Sequence, residues 1–520
     1  MMARRIDTRD GNNLTSPSRR RSTWIYMGGS QIFALLSIAR GFILIPVCLK
    51  YIPVETYGAW LAIYGGLTLI GLSSFGLNSL IIQKTSVLYG AKDYGGLGRT
   101  VASILITTAF FSAVACGLIW AGAPWIPGWV GITGGAAASL TLAFRLAALD
   151  ATLMMSALGL GGALTGFQRP FVHVLAVSLG QVVGLVATLL ALWHGWGILA
   201  IPAGMLSGTL VVFSANAVAL GAFVRRTFPA GLFRFDLPTL KGLLESSLLL
   251  FVKELCNLFT TRSASMIVAL VLSLPLVVVL EVTRKSVMAV VDLLMRLPAS
   301  LLPGLSHLLG SGEKERFQSL IGQIFRFLLL LGLLCLGGVM FLNRAFVSLW
   351  TGKQFYGGDF LTFLLCLYAL AQILNNTATN IVFATGRYRV LTLASIFESI
   401  FTVSLALILG HLWGLHGIVL AMLLASLASF GILGRDIVKL LEWRAFETSN
   451  LWKFTKMFAP AILLGILGVA ASRVWPPQGW WQMLAYGAGY VLMGGTMFLA
   501  LDRQLRQTVA LVFSLRGSVQ

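Results

Sequence analysis

Apolar runs of about 20 residues, divided by short polar breaks, follow one another along the chain from residue 24 to residue 501. A helix of that length crosses the roughly 30 Å hydrocarbon layer of a bilayer. Inside that layer each backbone N–H and C=O needs an internal partner, which a helix supplies. The runs therefore predict an all-α, polytopic membrane protein. The make-up of the 520 residues agrees, with 57% hydrophobic, 11% charged and a mean hydropathy of +0.87.

About 14 transmembrane helices are expected, at 24–49, 57–82, 100–123, 140–166, 171–193, 197–224, 246–272, 276–302, 320–342, 359–384, 390–410, 413–434, 456–474 and 480–501. The first run is too long for a signal-peptide core and lacks a small-residue cleavage site, so it reads as an uncleaved span. The net charge of +20 is not gathered on one basic face with interleaved aromatics, which argues against a nucleic-acid partner. Most of the 38 Lys and Arg lie in alternate short loops, with only Lys50, Arg344, Lys353 and Arg473 in the opposite ones. That bias places both termini in the cytoplasm. Trp125, Trp129, Trp193, Trp196, Trp413, Trp475, Trp480 and Trp481 sit beside the opposite loops and read as interfacial anchors.

Weak internal likeness recurs at an offset of 220 residues. SVLYGAKD at 86–93 matches SHLLGSGE at 306–313, Thr165-Gly166 matches Thr385-Gly386, and Gly197-Ile198 matches Gly417-Ile418. Ser178, Gln181, His194 and Trp196 match Ser395, Glu398, His411 and Trp413 after a three-residue slip. The expected organisation is a basic tail at 1–22, an N-lobe at 23–224, a cytoplasmic linker at 225–245, a C-lobe at 246–440, and two further helices with a basic tail at 441–520. Two pseudo-symmetric six-helix lobes in parallel orientation are expected to enclose a central cavity.

Charge inside the membrane narrows the function. In EVTRKSVMAVVDLLMR at 281–296, Glu281, Arg284, Lys285, Asp292 and Arg296 fall within roughly 60° either side of one line down a helix. At roughly 2.5–3.5 kcal/mol per charge at the bilayer centre, five lipid-facing groups would cost about 12 kcal/mol or more. The stripe must face protein or water. A ladder of ion pairs and the wall of a polar cavity both meet that demand. The other intramembrane bases are Arg40, Arg145, Lys253, Arg262 and Arg326, and the other acids are Asp150, Glu254 and Glu398. Arg326 lies about two turns from its span end, where snorkelling accounts for it; Arg145 could snorkel in the same way or join the interior charges. The excess of bases over acids fits an anionic ligand such as a phosphate or pyrophosphate, held by Arg40, Lys253, Arg262, Arg284, Lys285 and Arg296.

Gln372, Asn375, Asn376 and Thr379 recur at helical spacing. They could bond sugar hydroxyls across a cavity or glue one helix to another. Glu398, mid-membrane one span later, is the leading protonatable switch, with Glu281 and Asp292 as further ion-coupling residues. The chain has no phosphate loop, nucleophile elbow or H-E-x-x-H, and its five cysteines are scattered, so neither an ATP-driven pump, a serine hydrolase nor a metal centre is expected.

The 6+6+2 pattern, YGAWLAIYGGLTLIGLSSFGLNS at 57–79, Leu349-Trp350-Thr351-Gly352, FATGRYR at 383–389 and GLHGIVLAMLLASL at 414–427 resemble the polysaccharide-flippase branch of the multidrug/oligosaccharidyl-lipid/polysaccharide exporter superfamily. Relatives often carry an acid just before the glycine of the second span, where this chain has Ser74-Phe75-Gly76. The resemblance implies flipping of an undecaprenyl-pyrophosphate-linked glycan, an O-antigen, capsule or exopolysaccharide unit, across the bacterial inner membrane by alternating access. It implies no bound cofactor, a proton or sodium gradient as energy source, and a polysaccharide polymerase and glycosyltransferases as partners. Three rival readings remain. A lipid II flippase usually pairs Arg with Asp in its first span, where this chain has Arg40-Gly41. A drug/cation antiporter usually has twelve spans and an acidic cavity. A membrane glycosyltransferase or polymerase needs a catalytic cluster in a sizeable polar loop.

Overall fold

The structure, a computed structural model, describes residues 19–67, 77–229, 231–295, 314–385, 387–440, 463–465, 467–468, 470 and 473–501. Within them the chain is helical, with no strand among the described residues. The main helices are α1 (Arg19–Tyr51), α2 (Val54–Leu67), α3 (Leu77–Gly90), α4 (Tyr94–Gly122), α5 (Gly135–Gly166), α6 (Pro170–Trp193), α7 (Ala200–Thr227), α8 (Leu237–Val271), α9 (Leu274–Leu294), α10 (Lys314–Trp350), α11 (Asp359–Ala384), α12 (Tyr388–Leu440) and α13 (Trp480–Leu501). Seven stretches among the described residues are long and apolar enough to cross a membrane, one of them the 51 residues Arg389–Lys439. That last stretch breaks at Trp413 and at Gly414, whose φ of 59° is left-handed. The break falls where the sequence predicts the boundary between two spans. The eight Trp residues expected as anchors are all exposed, as interfacial side chains should be.

Two compact units form, one from Met1–Ile52 and Gly66–Phe251, the other from Pro53–Gly65 and Val252–Gln520. In the first, α6 and α7 approach through facing glycines. A Cβ on Gly180 would lie 2.8 Å from the carbonyl oxygen of Gly208, and one on Gly184 would lie 2.9 Å from that of Gly204. Only glycine lets the two backbones meet there, the small-residue packing typical of helices in lipid. Gly162 of α5 likewise admits Ile81 of α3. Phe167, Phe223 and Phe228 stack at 5.1–5.9 Å, with the Arg169 guanidinium 4.4 Å above the Phe223 ring. The loop from α7 to α8 is pinned to α4: the Asp236 N–H donates to the Ser103 hydroxyl at 2.9 Å, and that hydroxyl donates to the Asp236 carbonyl at 3.3 Å. The Asp236 carboxylate caps α8 by accepting from the hydroxyl of Thr239 and from its N–H at 2.9 Å. Those bonds, with Arg99 nearby, hold the carboxyl below its ordinary range against a small opposing effect of burial.

In the second unit, Ala62 of α2 joins a core with Ala264, Val268, Val277, Leu280, Leu361 and Ile418. Gly58 of the Tyr57-Gly58 motif allows this approach, since a Cβ there would lie 2.9 Å from the Leu274 carbonyl carbon. Pro275 starts α9 where an N–H would have no helical partner. The loop from α10 to α11 turns at Gly352 and Gly358, with φ of 112° and 98°. It is held by buried amides and hydroxyls. Asn343 donates to the Thr283 carbonyl (3.0 Å) and Thr362 (3.2 Å), Ser286 donates to Asn343 (2.6 Å), and the Gly357 N–H donates to Thr283 (2.9 Å).

Candidate functional site

The polar interior of the second unit starts at the hairpin of α8 and α9. Ser265 and Glu281 lie eight residues before and eight after Ser273, so the antiparallel helices bring them to one depth. The Ser265 hydroxyl donates to Glu281 Oε1. Arg284, one turn on, donates from Nη2 to Oε1 at 2.6 Å and from Nε to Oε2 at 3.0 Å, a bidentate pair. The two side chains are only 13% and 20% exposed, so little water screens them. Lys285 beside them is half-buried and feels Glu281, Asp292, Arg284 and Arg262. Asp292 and Arg262 are exposed.

A second group lies between α11 and α12. Glu398 is 8% exposed. Its Oε2 accepts from Asn375 Nδ2 at 3.0 Å and its Oε1 from Gln372 Nε2 at 3.4 Å. Ser429, on the second half of α12, donates to Asn375 Oδ1 at 3.3 Å. Tyr368, one turn before Gln372, is buried in the apolar core of the unit. Two polar groups thus stand within an otherwise apolar unit: Ser265, Glu281 and Arg284 on α8 and α9, and Gln372, Asn375, Glu398 and Ser429 on α11 and α12.

The remaining residues singled out from sequence fall as follows. Arg40 lies in the first unit, half-buried, with Nη1 donating to Gln181 Oε1 at 3.1 Å, and it acts electrostatically on Asp150. Asp150 accepts from the Thr209 hydroxyl at 2.6 Å. Lys253 pairs with its neighbour Glu254 at 3.5 Å. Asn376 donates to the Met295 carbonyl at 3.3 Å, and Thr379 is half-buried one turn from Asn375. Arg296 lies outside the described residues. Both open readings gain detail. In the 281–292 stripe the Arg284 charge is matched by Glu281 on its own helix, as an ion-pair ladder would have it. In the amide stripe Gln372, Asn375 and Asn376 each bond an acceptor within the protein.

Tyr368, Ser265, Ser429 and Thr209 were not singled out from sequence. A lone Tyr or Ser in an apolar run has no periodic signature. Equal spacing from the α8–α9 turn is the signal that would have found Ser265, and Arg262 with Arg284 obeys the same symmetry, eleven residues either side of Ser273.

Several known proteins share this architecture. The solved structure titled lipid II flippase MurJ, in an inward closed conformation, is 13% identical, aligns over 91% of this chain and 98% of its own, and superposes with a TM-score of 0.67. Inward-facing and outward-facing structures of a multidrug resistance MATE family transporter of the MOP superfamily are 15% and 16% identical. They cover 79% and 82% of this chain and 96% of their own, with TM-scores of 0.62 and 0.60. Those likenesses establish the fold. A comparison with curated protein sequences returns no match. A family model described as polysaccharide biosynthesis protein matches residues 57–358, more than half of the chain, and includes the Tyr57-Gly58 motif and helix α9. This multi-pass membrane protein accordingly belongs to the polysaccharide biosynthesis protein family, with the fold shared by MurJ and the MATE transporters.

Proposed function

We propose that the protein flips a lipid-pyrophosphate-linked oligosaccharide across the bacterial inner membrane by alternating access, driven by a proton or sodium gradient. The observation that carries the reading is a buried carboxylate, Glu398, held by two amides in the same unit that carries the charged helix α9. Buried ionisable groups are costly in a membrane, and a fold used by transporters gives them a task. In this reading Glu398 takes up and releases the coupling ion. Lys285, Arg262 and Lys253 offer positive charge to the pyrophosphate, and Arg284 responds through its bond to Glu281. The cargo's lipid tail stays in the bilayer, both termini are cytoplasmic, and the delivered unit passes to a polysaccharide polymerase.

A second reading, flipping of lipid II, is favoured by the extent of the match to MurJ. Against it stands Arg40, which bonds Gln181 and is followed by Gly41 in place of an acid. Deletion of the gene followed by mass spectrometry of lipid-linked intermediates separates the two. A pool of pyrophosphate-linked oligosaccharide is expected to accumulate. Accumulation of lipid II would favour the second reading, and unchanged pools would contradict both.

A further inference from the structure

We propose that Asn343 is a positioning residue that sets the rotation of α9 and so aims Lys285 at the pyrophosphate of the cargo. The inference deepens the reading above and rests on it. Glu281, Arg284, Lys285 and Asp292 centre on one line down α9. At about 100° per residue, Thr283 and Ser286 centre on another line about 170° round the helix. Asn343 of α10 grips that back face. Its Nδ2 donates to the Thr283 carbonyl at 3.0 Å and to the Thr362 hydroxyl of α11 at 3.2 Å, and its Oδ1 accepts from Ser286 at 2.6 Å. The side chain is 1% exposed, so these bonds are shielded from water. The Gly357 N–H adds a hold on the same face by donating to the Thr283 hydroxyl at 2.9 Å. Glycine keeps that approach open, since a Cβ there would lie 3.2 Å from the same oxygen.

Apolar packing alone does not fix such an angle. Val277, Leu280, Val287 and Val291 of α9 lie in the core of the unit. Ridges packed into grooves leave a scatter of about 15–20° in how two helices meet. A binding group has to be held within about 10–20° of its productive direction. Hydrogen bonds supply the missing precision, because they weaken steeply when misaligned. Fixing the register of an apolar helix seam is the best-attested use of a buried polar residue. A leucine at position 343 would keep the apolar contacts and release Thr283, Ser286 and Thr362 together. Bonds on the back of α9 thus decide where the charge on its front points, and Asn343 acts without touching the cargo.

The test measures binding of farnesyl pyrophosphate, a soluble prenyl pyrophosphate, to the full chain in nanodiscs. Asn343→Leu and Lys285→Gln are each expected to weaken binding about tenfold, the worth of one bond to a charged group. In the double variant the two losses are expected not to add, leaving a total near that of Lys285→Gln alone. A general loss of packing would instead weaken both backgrounds alike. Ser286→Ala, which removes a hold on the same face, takes the place of Asn343→Leu if that variant does not fold, with the same non-additivity expected. Losses that add in full, or an Asn343→Leu or Lys285→Gln protein that binds like wild type, would overturn the aiming role of Asn343 and leave the reading of a pyrophosphate-linked cargo standing. Wild-type protein that does not bind farnesyl pyrophosphate would overturn that reading and this inference together.

Discussion

The two units handle polar groups within apolar surroundings in opposite ways. In the first, Arg40 is bonded by a neutral amide, Gln181, and Asp150 by a hydroxyl, Thr209, in short contacts that each tie one helix to another. In the second, the carboxylate of Glu398 is bonded by two neutral amides, and α9 carries a bidentate ion pair. Gln181 and Glu398 are matched positions in the internal repeat. A neutral amide stands at one and an acid at the other, while the acid of the first unit, Asp150, lies on α5. The coupling proposed for Glu398 therefore has no counterpart at Gln181, since an amide does not titrate.

The contrast can be broken from the second unit's side first. Arg284→Ala leaves Glu281 buried against Ser265 without its cation, and breaking such a pair costs about 3 kcal/mol. Chemical unfolding in detergent should show that loss, and surface glycan should disappear. Wild-type glycan in an Arg284→Ala, Lys285→Ala double variant would remove the α9 cations from transport. In the first unit, Thr209→Val should cost about 2 kcal/mol, the worth of a buried bond to a charged acceptor. It should leave the response to an ion gradient intact; a lost response would make the first unit part of the coupling.

The smallest effect concerns the α8 cap. The Asp236 carboxyl is held below its ordinary value of 3.8 chiefly by the Thr239 hydroxyl. A depressed carboxyl contributes stability above that value and loses it as pH falls through its own lower midpoint. The first-turn amides of α8 should therefore exchange faster, relative to their intrinsic rates, under acid conditions. Asp236→Asn should abolish that acid dependence without altering transport.

Much of the fold was legible in the sequence because lipid imposes one rule on each helix. The ends of α6 and α11 fall within a residue of the predicted spans, α5 ends at the predicted Gly166 but starts at Gly135 rather than 140, and the α12 break lies at the predicted boundary. The ends of α8 and α10 differ more, since both helices run on past the apolar core. The charged stripe of α9 was legible because charge in an apolar run stands out. Its pairing was not, because the bidentate bond of Arg284 to Glu281 depends on rotamers rather than spacing. The amide stripe was visible, but whether it faces open space or Glu398 is decided by the rotation of α11 against α12. Glu398, which stood out as an acid in an apolar run, is buried and accepts from Asn375 and Gln372.

The central claim is that Glu398 couples an ion gradient to movement of the cargo. Purified wild type and Glu398→Gln in proteoliposomes, loaded with the lipid-linked oligosaccharide that accumulates on deletion, provide its direct measurement under imposed proton and sodium gradients. Wild-type flipping is expected to accelerate with one of those gradients, and the Glu398→Gln rate is expected to be the same with and without it. Equal acceleration of both proteins would contradict the account.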